Sequence, residues 1–289
     1  MIRYAKPRTL DAALALLGDG EWRILAGGTD FYPALGDRPL RHDVLDINGL
    51  DELRGISQDD AFIRIGARTT WTDVVRSDLP PAFDALEQAA REVGSIQIQN
   101  VATVAGNLCN ASPAADGVPA LLVLDAEVEL RSAAGTRSLP LTDFIIGNRR
   151  TALQPGELVT AILIPKTSTA GCSAFEKLGA RRYLVISIAM AAARVEIESG
   201  GIARAAVAVG ACSVVARRLT ALEEALMGVP VAELREAVPA APGFEVLSPI
   251  DDVRGSAAYR REAAREIVTR ALLAAAGGEG APARIGAAA

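Results

Sequence analysis

Two short stretches combine residue types whose chemistry suits the grip of a phosphate-bearing ligand: Ala26-Gly27-Gly28-Thr29-Asp30 and Thr103-Val104-Ala105-Gly106-Asn107. Glycine lets a ligand approach the backbone, and hydroxyl and amide side chains hydrogen-bond oxygen. In the first stretch Thr29 can reach a phosphate oxygen. Asp30 would repel one, so a turn cap or a sugar hydroxyl suits it better, and the structural role is favoured. Gly-Asn and Ser-Pro pairs are also ordinary punctuation between secondary elements. What points to a ligand is that two stretches of the same character each follow an apolar, strand-like run, and two cradles suit one dinucleotide.

Other chemistries find little support. The single histidine, His42, lies in the polar run RPLRHD and would have to carry any zinc site or nucleophilic triad alone. Cys109, Cys172 and Cys212 are too few and too dispersed for a disulfide framework or an iron–sulfur cluster, and are read as small buried hydrophobes. Neither the Rossmann nor the Walker A glycine pattern occurs, so another fold must hold a dinucleotide.

The second cradle sits inside the run from Ser95 to Asp125. Ile96 and Ile98 alternate with Gln97 and Gln99, the period of a half-buried strand, which is expected to enter the loop at Thr103. Ser112-Pro113 has the form of an N-cap and first helical position, predicting a helix through Leu124 whose first N–H groups face that loop. Upstream, Thr9 is placed to cap a helix with Leu10, Leu14 and Leu17 on one face. WRILA and VLDI read as strands flanking a helical turn in FYPALG, and Leu50 to Asp60 reads as a subdomain boundary. Then come a strand at FIRIGA, a capping box from Thr70 to Asp73, and a helix from Pro81 ended by Gly94.

Beyond the cradle, AEVELRSAAGTRSLPL predicts two strands and GELVTAILIP a third, with KTSTAG (166–171) as a linker. YLVISIAMAAARVEIE is apolar enough to be strand or helix; the Ser199-Gly200-Gly201 turn before IARAAVAVGACS decides for a hairpin. Helices follow at LTALEEALMG, VAELREAV and 256–275, the last with Tyr259, Ala263, Ile267 and Thr269 or Leu272 loosely aligned. The tail 276–289 has too little apolar mass to order itself.

At 289 residues, half of them hydrophobic and only 4% aromatic, the chain can build a sizeable core from Ala, Val, Leu and Ile. A net charge of −5 with scattered cations argues against nucleic acid and anionic membranes as partners. No signal-peptide core and no charge-free apolar stretch of about 20 residues is seen, so the expected location is the cytoplasm.

The two cradles, the run NASPAADGVPALLVLDAEVEL, the segment PLTDFIIGNRRTALQPGELVTAILIP and the late DVRGSAAYRREAAREIVTRAL together resemble the FAD-binding medium subunit of the molybdenum hydroxylases, a family that includes xanthine dehydrogenase, carbon monoxide dehydrogenase and 4-hydroxybenzoyl-CoA reductase. The resemblance spans about residues 1–275 and implies an α+β fold. Two FAD-binding subdomains (1–53 and 54–167) of the p-cresol methylhydroxylase and vanillyl-alcohol oxidase type precede a C-terminal α+β domain (171–275) with an antiparallel sheet and helices. It implies FAD held through Ile24, Leu25, Ala26, Gly27, Gly28 and Thr29, and through Thr103, Gly106 and Asn107. Asp116 would contact the cofactor and Lys177 would lie near the flavin; on the residues alone, Lys177, one of three lysines, fits a solvated strand end equally. Two departures stand out: Ala105 replaces the first glycine of the usual T-x-G-G-N, and the lysine that often follows the first loop is absent, leaving Arg38 as a substitute.

The function this implies is an oxidoreductase subunit passing electrons from the [2Fe–2S] clusters of an iron–sulfur subunit through FAD to an acceptor. A molybdopterin-binding large subunit performs the oxidation, in a dimer of heterotrimers. The flavin carries the chemistry, so no side chain need act as acid or base. A free-standing flavin oxidoreductase of the same fold, lacking an obvious proton handler, and a non-catalytic assembly subunit that has lost FAD are the weaker alternatives.

Overall fold

Three sheets divide the chain, and the computed structural model describes residues 2–277 of it. The first sheet is parallel, in the order β1 (Tyr4–Ala5), β3 (Asp43–Asp46), β2 (Trp22–Leu25), with α1 (Leu10–Gly18) and α2 (Phe31–Leu35) as the connections. The hydroxyl of Thr9 accepts the Ala12 N–H, so α1 starts where the sequence predicts, and it buries Leu10, Ala13, Leu14 and Leu17 against Leu45, Ile47, Leu50 and Leu53.

The second sheet is antiparallel and combines β4 (Ile56–Gln58), β5 (Phe62–Gly66), β6 (Glu127–Ser132), β7 (Gly135–Pro140) and, at its centre, β10 (Leu158–Pro165). Between β5 and β6 run α3 (Trp71–Val75), α4 (Asp84–Glu92), α5 (Ile96–Gln99), α6 (Val104–Asn110) and α7 (Gly117–Val123); α8 (Leu141–Phe144) and the small hairpin β8 (Ile145–Gly147) and β9 (Arg150–Thr151) follow β7. The Thr70–Asp73 capping box forms with both reciprocal bonds. KTSTAG is a 3-10 turn over Lys166–Ser168 with Ser168 buried.

Three expectations for the central run are corrected. The IQIQ stretch is one helical turn rather than a strand: Ser95 caps it and the N–H groups of Gln99 and Asn100 bond back to Ser95 and Ile96, while Ile96 faces solvent and only Ile98 packs inward. Gly94, at φ +56, ends α4 and turns the chain into it. Thr103 to Asn107 is not a loop but the start of α6, because the Thr103 hydroxyl accepts the Gly106 N–H at 3.0 Å. Ser112 and Pro113 make a turn, with Ala114 and Ala115 N–H groups bonded to Ser112, and α7 begins only at Gly117.

The third sheet is antiparallel: β11 (Cys172–Leu178), β12 (Ala189–Glu198), β13 (Gly201–Gly210) and β14 (Arg217–Arg218). Along β12, Ala189, Ala191 and Ala193 join the core under α9 (Thr220–Ala225), α10 (Leu234–Ala240) and α11 (Ala257–Ala275), whereas Met190 and Ala192 join the core that contains α4 and α7. Both faces are buried, which explains an apolar run that periodicity could not assign. The strand begins at Ala189, and Tyr183, Leu184 and Ile186 before it are exposed. The buried stripe of α11 runs through Arg260, Ala264, Ile267, Val268, Ala271 and Leu272, with Tyr259 exposed. Cys212 is buried as expected, but Cys109 and Cys172 are exposed. Of the expected tail, residues 278–289 lie outside the described residues.

Arg260 is 1% exposed and donates from Nη1 to the carbonyls of Ile188 and Ala211, and from Nη2 to Asp252 at 2.6 Å. Hydrogen bonds from Arg254, reinforced by Arg260, hold the Asp252 carboxyl well below the usual range. Because the folded state depresses this group, its contribution to stability is present above the ordinary aspartate pKa and lost as pH falls through the folded value. Thermal melts from pH 7 down to pH 2 should therefore show a steeper acid loss for wild type than for Asp252→Asn, which is less stable at pH 7.

Candidate functional site

The first and second sheets meet along a cleft of about 460 Å³ whose walls come from the two glycine-bearing segments. The chain leaves β2 at Leu25 and turns through Ala26, Gly27 and Gly28 with the Asn48 amide donating to the Ala26 carbonyl at 2.8 Å. A Cβ on Gly27 would stand 2.1 Å from the Val101 carbonyl oxygen and 2.9 Å from the Ala102 Cα. The two segments therefore touch backbone to backbone, and only glycine allows the contact. Gly28 has φ +76 and a Cβ there would meet the Tyr32 ring. Opposite, Trp71 N–H donates to the Ala102 carbonyl and Val104 N–H to the Thr69 carbonyl, anchoring the entry to α6 on α3.

Of the residues singled out from sequence, Ile24, Ala26, Gly27, Gly28, Thr29, Thr103, Gly106 and Asn107 all line this cleft. Leu25 does not: it is buried behind the wall. The Thr103 hydroxyl is occupied as the α6 cap, and a Cβ on Gly106 would stand 2.8 Å from it, so any side chain at 106 competes with the cap. Among the described residues five buried side-chain polar atoms have no partner, and of these only Asn107 Oδ1 belongs to a cleft residue. A buried acceptor without a donor is costly unless a ligand group satisfies it.

Asp116 and Lys177 are brought together, but outside the cleft lining. Lys177 Nζ lies 2.7 Å from Asp116 Oδ2 and 3.3 Å from the Glu92 carbonyl, and the Ser187 hydroxyl donates to Asp116 Oδ1 at 2.6 Å. Burial pushes the Asp116 carboxyl above the usual range; the Lys177 ammonium and its hydrogen bond, with that of Ser187, oppose the shift. The residue after Asp116, Gly117, packs where a Cβ would stand 2.4 Å from the Trp71 ring and 3.2 Å from Asn107 Oδ1. The pair thus borders the cleft through α7.

Several wall residues escaped sequence reasoning. Arg23 lines the cleft with its guanidinium 4.7 Å from the Phe31 ring centroid, and Trp71, Asn110, Leu153 and Val159 are among the other wall residues. A charged residue in the strand leading into a glycine turn was the available signal for Arg23; the others arrive from distant segments. Arg149, at φ +56, donates to the Asn110 side chain and carbonyl and stands 4.0 Å from Asp30. Arg38, the proposed substitute for the missing lysine, bonds the Ala34 and Leu35 carbonyls and does not line the cleft.

The titratable groups on the wall are Arg23, Asp30 and Cys109, and no acid–base pair is formed from them. No cluster of His, Cys, Asp or Glu suited to a metal occurs among the described residues. The cleft is apolar along most of its wall, with backbone and amide groups at the segment contact, the usual make-up of a small-ligand site.

The comparisons with known proteins agree. Residues 1–167 match the family described as the FAD binding domain in molybdopterin dehydrogenase, and residues 173–275 the CO dehydrogenase flavoprotein C-terminal domain. The chain is 38% identical over 243 residues to the nicotinate dehydrogenase FAD-subunit of Eubacterium barkeri, covering 79% of this chain and 80% of that one. It is 32% identical to the 6-hydroxypseudooxynicotine dehydrogenase complex subunit alpha of Paenarthrobacter nicotinovorans, covering 93% and 92%. A reconstituted CO dehydrogenase from Oligotropha carboxidovorans superposes with a TM-score of 0.88 at 28% identity, over 96% of this chain and 98% of that one. Fold and cleft define a flavoprotein of mixed α and β architecture. The chain belongs to the FAD-binding subunits of the molybdenum hydroxylase family.

FAD is the cofactor of this family, and the residues present fit it: a mostly apolar cleft walled by two glycine-bearing segments, and an unpaired buried amide oxygen at Asn107.

Proposed function

We propose that this cleft holds FAD between the Ile24–Thr29 segment and the start of α6, and that the chain relays electrons within a larger oxidoreductase complex. The observation that carries the reading is the backbone contact of Gly27 with Val101 and Ala102, beside the unpaired Asn107 oxygen. Bound FAD supplies a carrier that exchanges electrons singly or in pairs. The chain's own residues bind and orient it. Gly27 and Gly28 bring main chain to the ligand, Thr103 fixes the first turn of α6, Asn107 accepts a hydrogen bond from a ligand hydroxyl or amino group, and Arg23 places a cation on the wall. Asp116 and Lys177 set the position of α7 beside the flavin-binding wall.

The partners in this reading are an iron–sulfur subunit with [2Fe–2S] clusters and a molybdopterin-binding large subunit, arranged as a dimer of heterotrimers in the cytoplasm. Among the described residues no helix is long and apolar enough to cross a membrane. The same reading divides the chain into subdomains 1–53 and 54–167 and a C-terminal domain from 171; what supports it is that the three larger sheets follow one another along the chain.

The test is isolation of the tagged chain from its own cells. Flavin, iron and molybdenum co-purifying in fixed proportion are expected. A chain that carries flavin, purifies alone and turns over a small substrate unaided would favour the free-standing oxidoreductase. On the isolated chain, Asn107→Leu should weaken FAD binding about tenfold, the equivalent of one hydrogen bond of about 1–1.5 kcal/mol, without lowering the melting temperature of the flavin-free protein.

A further inference from the structure

All residues that line the cleft fall between Arg23 and Val159, so the C-terminal sheet and its helices contribute none of its surface. They nevertheless hold one of its supports from two ends. All seven residues of α7 are buried. At its N-terminal end Asp116 is fixed by Lys177 from β11 and by Ser187. At its C-terminal end the last carbonyls accept from two arginines of the third sheet: Arg194 Nε, on β12, donates to Val123 at 2.8 Å, and Arg218 Nη1, on β14, to Leu122 at 2.9 Å.

Asp125, just beyond α7 at φ +51, joins these contacts. Its Oδ1 receives Arg218 at 2.7 Å, and its Oδ2 receives Ser168 at 2.7 Å and Arg194 at 3.4 Å. Arg194 is almost wholly buried, whereas the Asp125 side chain is 45% exposed, so solvent screens the pair on one side only. Arginines at a helix C-terminus satisfy its free carbonyls and favour its dipole. The other face of α7 carries Gly117, packed against Trp71 and Asn107 too closely to admit a methyl group. A shift of α7 along its axis would therefore displace both cleft residues.

We propose that Asp125 is a positioning residue for the FAD cleft: by helping to seat Arg194 and Arg218 on the end of α7, it lets the C-terminal domain set the affinity of a cleft that it does not line. The inference rests on the reading of the cleft as the FAD site. Coupling through such a packed strut has the usual size of an inter-site effect, about 5- to 150-fold in affinity.

The experiment is FAD titration of the full-length, flavin-depleted chain, followed by visible absorption and flavin fluorescence well below the melting temperature. Asn tolerates positive φ, so Asp125→Asn keeps the backbone and removes the charge. Its dissociation constant for FAD should rise about tenfold. Arg194→Gln should do the same, and the double variant should be no worse than the weaker-binding single one, since both break one network. Ile267→Val, on the buried face of α11 in a core separate from that of α7, is the control: it lowers the melting temperature but should leave FAD affinity unchanged. If Asp125→Asn fails to fold, Ser168→Ala, which removes one donor to the same carboxylate, should still weaken binding roughly two- to threefold. Wild-type affinity in Asp125→Asn, or in Ser168→Ala where that stands in for it, overturns the inference and leaves the FAD reading intact. Losses that track melting temperature equally in Asp125→Asn and Ile267→Val overturn it as general destabilisation. A wild-type chain that takes up no FAD, alone or when produced together with its partner subunits, overturns both.

Discussion

Alanine at Gly27 is expected to strip the protein of its flavin. The added Cβ would stand 2.1 Å from the Val101 carbonyl oxygen and 2.7 Å from its carbonyl carbon. These are backbone atoms, so no side-chain rotation relieves the clash; the two segments must part. Overpacking of this kind costs about 1–3 kcal/mol or more in stability, and here the displacement falls on the ligand cradle itself. Affinity for FAD should fall about a hundredfold or more, equivalent to about 3 kcal/mol, measured by flavin fluorescence on the flavin-depleted chain. Gly18, whose Cβ would meet nothing within 4 Å, is the matched control: Gly18→Ala should bind FAD normally.

The second large effect is expected at Lys177. Its ammonium and the Asp116 carboxylate are 7% and 11% exposed, so Lys177→Met would leave an anion buried with only Ser187 for support. Removing one partner of a buried pair typically costs about 3–5 kcal/mol. The pH dependence gives the sign. Burial already raises the Asp116 pKa, and without the lysine nothing but Ser187 opposes it. A carboxyl whose folded pKa lies above its unfolded value of about 3.9 keeps its stability below that value and loses it as pH rises through the folded one. Lys177→Met should therefore be close to wild type near pH 4 and increasingly destabilised toward pH 8. The double variant Asp116→Asn/Lys177→Met should recover much of the loss at pH 8, because the buried charge is gone. Chemical denaturation at the two pH values checks both statements.

Local signals in the sequence were followed faithfully where a single residue decides the backbone. Thr9, and Thr70 with Asp73, cap helices where their neighbours predict it, the last helix starts at its Ser256 cap within a residue of the expected start, and Ser199-Gly200-Gly201 turns the hairpin of β12 and β13. Both glycine segments and Asn107 could be read as ligand-facing because glycine and amide chemistry is visible in the residue itself. What was not legible depended on partners far along the chain. IQIQ alternates like a strand, but no neighbouring strand pairs with it among the described residues, and the Ser95 cap closes a helical turn instead. Ser112-Pro113 has the form of a helix start, yet the Ala114 and Ala115 N–H groups close a turn on Ser112, and α7 begins only at Gly117, after Asp116 has met Lys177 and Ser187 from later in the chain. Trp71 and Arg23 reach the cleft only once the two sheets are assembled, and the Asp116–Lys177 pair borders it instead of lining it because both side chains are spent on each other.

Whether the cleft between Gly27 and Asn107 holds FAD is decided by the visible absorption spectrum of the purified full-length chain, with acid release and identification of the flavin. Flavin bands and about one FAD released per chain are expected, and their loss in Gly27→Ala. A colourless chain that takes up no added FAD, and stays colourless when produced together with its partner subunits, would contradict that reading.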